Sequence, residues 1–130
     1  MTIQERMVVG EEAKERLDTA IQSYSINLHI LNEWQKALND TIRATAKERA
    51  RVMLEVVAAK DEDKKPQYPN EAAREAAVEN VMDPKFALRK REDEFSLANA
   101  KADVEVAMQV IRAERGFLAF LAAAMGAEEE

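Results

Sequence analysis

The chain has 130 residues, 47% hydrophobic and 34% charged, with three glycines, three prolines, no cysteine and a formal net charge of −6. That length supports one domain with a core, while so few breakers exclude a β-sandwich or a wound α/β sheet. The missing cysteines exclude disulfide frameworks, thiolate zinc sites and a cysteine nucleophile, and the negative balance disfavours nucleic acid except at a local basic face.

Met1-Thr2-Ile3-Gln4-Glu5-Arg6 has no basic stretch followed by an apolar run, so it does not read as a secretory signal. Phe117–Met125, the longest apolar run, is about half of a membrane span. The expected setting is the cytoplasm, with no membrane partner.

Thr2 and Glu5 have the spacing of a capping box, and a first helix is expected over about residues 3–60. Gly10 followed by Glu11 and Glu12 offers a second start for the same helix. From there a 3–4 stripe runs through Leu17, Ile21, Tyr24, Leu28, Leu31, Leu38, Ile42, Val52 and Val56, with polar interruptions at Gln35, Thr45 and Arg49. This spacing is heptad-like and predicts a seam with a partner helix. Ile30, Trp34, Met53 and Val57 flank the stripe and widen it.

Periodicity stops at Lys60-Asp61-Glu62-Asp63-Lys64-Lys65-Pro66-Gln67-Tyr68-Pro69, where charge and proline coincide, so residues 61–69 are read as a connection. Asn70 is an N-cap with Glu71 in the first turn, which predicts a short helix over 71–81. Asp83-Pro84 is a second cap-plus-proline signal, starting a long helix over 84–125. That helix carries Leu97, Val104, Met108, Ile111, Leu118, Ala122 and Met125 in one row. Phe95, Ala102, Val106, Val110, Phe117 and Leu121 form a second. Gly126 is read as its end, and 127–130 as an acidic solvated tail.

The predicted fold is all-α: a long antiparallel helical hairpin, coiled-coil-like, with arms of about 80 and 60 Å. Two arms cannot cover faces this wide, which points to a homo-oligomer, a dimer or higher, assembled as a helical bundle. Met7, Val8, Phe117, Phe120, Leu121 and Met125 fall at the same end of the hairpin and form the candidate oligomer contact. The alternative is that they close an intramolecular core.

Motifs for chemistry are missing. Gly10, Gly116 and Gly126 build no phosphate loop. His29, the one histidine, pairs at i,i+4 only with Glu33, and an ordinary helix-flank histidine explains it better than a metal ligand. Ser23, Ser25 and Ser96 sit in helical patterns without a nucleophile elbow. No catalytic residue, metal or cofactor is expected. Basic charge is local: Arg43, Lys47, Arg49 and Arg51 form one cluster, and Lys85, Arg89, Lys90 and Arg91 another. A hairpin brings both to one level, where they could contact phosphates. Glu92, Asp93 and Glu94 offer the simpler reading, a solvated face of ion pairs.

Tyr68-Pro69-Asn70-Glu71-Ala72-Ala73-Arg74, followed by Val81, Met82, Asp83 and a charged helix, resembles small uncharacterised helical-hairpin proteins of bacteriophages and prophages. In those a Tyr/Ser-x-Asn-Glu-x-x-Arg segment precedes the second coiled-coil helix. The chain departs from that pattern at Asp83-Pro84-Lys85-Phe86, where a run of acids before an aromatic is expected. The resemblance covers mainly residues 68–125 and implies a hairpin with an accessory role in phage replication or recombination. The functional expectation is a non-enzymatic accessory protein that self-assembles and binds an unknown protein partner. The alternatives are a DNA-associated factor using the basic patch and a purely structural oligomer.

Overall fold

The structure, a computed structural model, describes residues 2–129, with side chains through Gly126. It has three helices, α1 (Ile3–Ala58), α2 (Glu71–Val81) and α3 (Lys85–Glu129). The described residues are all-α, and α1 and α3 pack antiparallel as a hairpin.

Each start has a local cause. At α1 the capping box forms reciprocally: the Thr2 amide donates to Glu5 Oε2 at 3.0 Å and the Glu5 amide to Thr2 Oγ1 at 3.1 Å. At α2 the Asn70 side chain accepts from the Ala73 amide at 2.8 Å. At α3 the Asp83 carboxylate accepts from the Lys85 amide at 2.9 Å. This leaves Pro84 in the first turn, where its missing donor costs nothing.

The ends depart from expectation. Gly10 neither starts nor interrupts α1, and Gly126 does not end α3, which continues to Glu129. The expected acidic tail over 127–130 is therefore helical through Glu129, and Glu130 lies outside the described residues. A single helical glycine costs only about 1 kcal/mol, less than ending a helix that has residues to hydrogen-bond on both sides. α1 stops at Ala58 because the connection has structure of its own. Lys60 pairs with Pro66 in an isolated antiparallel bridge. The Asp61 carboxylate accepts from the amides of Asp63 and Lys65, each at 2.9 Å. Lys64 closes this turn in the left-handed region, with φ 62°.

Contacts divide the chain into two compact units, one of residues 1–34 and 97–130, the other of residues 35–96. In the first, Ala13, Ala20, Leu97, Ala100 and Ala107 are buried, and Leu17, Tyr24, Leu31, Val104, Ile111 and Leu118 are half-buried. Ile21 and Leu28, expected in the seam, are exposed, as is Ala122 on α3. Alanines let two helix backbones approach closely, which leaves the larger neighbours on the flanks.

In the second unit α2 closes the core. Val52, Val56, Ala77 and Val78 form one buried cluster, with Met53, Tyr68 and Met82 packed against it. Leu38 is buried on α1, and next to it in the helical repeat comes Thr41 rather than the expected Ile42, which is exposed. Thr41 Oγ1 donates to Asp93 Oδ2 at 2.5 Å, and both side chains are buried. Thr45 Oγ1 donates back to the Thr41 carbonyl at 2.7 Å.

Candidate functional site

Both basic clusters belong to the second unit. Lys85 and Arg89 of the second cluster line a cavity of about 540 Å³ with Asp40, Thr41 and Ala44 of α1, and no residue of the first cluster lines it. Acids come with both clusters. Arg49 grips Glu75 and Glu79 of α2. Arg51 donates to Glu48 Oε1 at 2.5 Å and to Glu55 Oε1 at 2.6 Å. Arg43 lies 3.7 Å from Asp40, Lys85 3.8 Å from Asp83, and Lys90 3.7 Å from Glu94. Lys47, Arg89 and Arg91 are the members of the two clusters that enter no ion pair among the described residues.

Electrostatics follow these contacts. The hydrogen bond from Arg51 holds the Glu48 carboxyl below the usual glutamate range, and burial opposes it only in part. Glu79, through its hydrogen bond, pushes the Arg49 guanidinium higher. Arg51 is raised likewise, first by its hydrogen bond to Glu48. A guanidinium bound to two carboxylates has fewer donors left for a phosphate.

The Tyr68–Arg74 segment resolves into structural roles. Arg74 is half-buried, and its Nε donates to the Tyr68 carbonyl at 3.1 Å. With the Asn70 cap this ties the entry of α2 to the chain before it. His29 is exposed on α1, and Ser23 lines a groove described next.

The first unit holds the larger concavity, an open groove of about 960 Å³ between α1 and α3. Ala20 and Ala107 floor it, Val106 and Val110 wall it on α3, and Glu12, Glu15 and Asp103 stand at its rim. Arg16 spans it, its Nε 3.2 Å from Glu114 Oε1 and its guanidinium 5.7 Å from the Phe117 ring centre. The candidate oligomer contact divides. Met7, itself exposed, lines one cavity of about 280 Å³ with Leu121 and Met125, while Val8 and Phe120 are exposed outside it, Phe120 at 67%.

The stripe reasoning missed this groove because alanines carry little hydrophobic weight. The signal was the recurrence of Ala13, Ala20, Ala100 and Ala107 at heptad intervals. Among the described residues no group of three histidine or acidic side chains could hold a metal ion. No helix among them is long and apolar enough to cross a membrane. No known protein family, curated protein or solved structure matches this chain.

Proposed function

We propose that this chain acts without catalysis, as a helical accessory protein that self-assembles and binds a protein partner through its helix faces. One observation carries the reading: alanines take most of the fully buried positions of the first unit while Val106, Val110, Phe117 and Phe120 stand exposed on α3. Monomeric proteins rarely leave so many large apolar side chains at adjacent helical positions uncovered. The area agrees. The chain exposes 9741 Å², whereas a globular monomer of 14.7 kDa exposes about 6,900 Å². The surplus of about 2,800 Å² is on the scale of what one partner covers in an obligate assembly. The resemblance of residues 68–125 to phage hairpin proteins supplies a setting, an accessory role in the cytoplasm of an infected host.

Light scattering across a concentration series tests the reading. A mass that rises to a dimer or higher is expected, and a monomer at every concentration overturns it. A DNA-associated role is the second reading, supported by Lys47 and Arg89, basic residues of the same unit that enter no ion pair among the described residues. It predicts a salt-sensitive shift of DNA at low ionic strength, reduced by Arg89→Glu.

A further inference from the structure

The groove of the first unit has a charge problem that the chain does not solve within itself. Glu12, Glu15 and Asp103 are exposed and enter no ion pair among the described residues, and the groove's own cation, Arg16, is engaged by Glu114. An occupant that brings positive charge to the rim and apolar side chains to Val106 and Val110 complements the groove.

A ridge with both properties lies on α1 in the second unit. Arg43, Lys47, Ala50, Leu54 and Val57 follow at alternating spacings of four and three, so they share one helix face. All five are exposed, Leu54 at 73%. Lys47 enters no ion pair, and Arg43 has only the exposed Asp40 at 3.7 Å, a contact of little worth in water. The ridge is basic at one end and apolar at the other. Nothing in its own unit covers Leu54 or Val57.

We propose that the groove between α1 and α3 in the first unit receives the Arg43–Val57 ridge of a second copy of this chain. The proposal rests on the self-assembly reading and gives it an address. Lys47 and Arg43 meet the carboxylates of Glu12 and Glu15, while Leu54 and Val57 lie on Val106 and Val110 above the alanine floor. The alanines matter because a second helix can reach the wall valines only if the floor is low. Acidic and basic surfaces on the same chain also explain how a protein of net charge −6 can associate with itself.

Complementary charge reversal tests it. Glu12→Lys with Glu15→Lys, and separately Arg43→Glu with Lys47→Glu, should each weaken association about tenfold or more in sedimentation equilibrium. These positions are exposed, and circular dichroism checks that the helices persist. Mixing the two variants restores association, because each groove then meets a ridge of opposite sign. Oligomers that neither reversal weakens, or a mixture no tighter than its components, overturn the groove–ridge contact and leave self-assembly standing. A wild-type chain that is monomeric throughout overturns both.

Discussion

The two units are built from stretches of the same two helices, yet they solve burial differently. In the unit of residues 35–96 a third helix, α2, adds Ala77 and Val78 to Val52 and Val56, and the cluster closes. In the unit of residues 1–34 and 97–130 there is no third helix among the described residues, the fully buried positions are mostly alanine, and Val106, Val110 and Phe120 remain exposed. A helix pair buries only the strip where the two touch, so any second apolar row needs another helix. One unit finds that helix within the chain. The other has none among the described residues, and the proposed second copy would supply it.

This contrast can be broken most forcefully at Val78, which is 0% exposed. Val78→Ala should cost about 2–3 kcal/mol in urea unfolding through lost burial and a residual cavity. Val106→Ala, on the uncovered row, should change the stability of the dilute chain by no more than about 0.5 kcal/mol. Equal costs at both positions would erase the distinction between the units.

A smaller effect is expected from the polar pair inside the second unit. Thr41→Val removes the hydroxyl donor to Asp93 and leaves a buried carboxylate short of a partner, costing about 1–3 kcal/mol. Adding Asp93→Leu to that variant should recover much of the loss, since neither polar group then remains. A double variant less stable than the single would mean that Asp93 serves a partner besides Thr41.

The smallest effect belongs to the surface of that unit. The Glu48 carboxyl sits below its ordinary value of 4.5 because Arg51 hydrogen-bonds to it. As pH falls, the unfolded chain takes up that proton before the folded one does. The contribution is therefore complete above about pH 4.5 and fades as the folded carboxyl protonates. Glu48→Gln should lower the neutral plateau slightly and leave the acid end nearly unchanged, which makes the acid limb of the stability profile shallower. An unaltered acid limb would show that the Arg51 contact adds nothing in solution.

Much of the fold was legible because its punctuation is chemical and local. The Thr2–Glu5 capping box, the Asn70 cap and Asp83-Pro84 mark helix starts with side chains that satisfy nearby amides, and all three do so. Pro66 and Pro69 mark the connection for an equally local reason. Less was legible at the candidate sites. That both basic clusters fall in one unit follows from a hairpin, but the grip of Glu75 and Glu79 on Arg49 depends on where α2 lands. Lys64 at positive φ was also out of reach, since lysine gives no sign of a left-handed turn.

By itself, then, the sequence determined that this chain is helical, where its helices start, and that two of them fold back on each other. Those outcomes depend on side chains within a few residues of the backbone they serve. The tertiary structure alone decided which face turns inward: Ala20 rather than Ile21, Thr41 rather than Ile42. Neighbouring residues on a helix point about 100° apart, and where both are compatible with burial the choice belongs to the partner helix. At these two positions the packing takes the smaller side chain and leaves the isoleucine outside, while Leu38, Val52 and Val56 of the same stripe turn in as their spacing predicts.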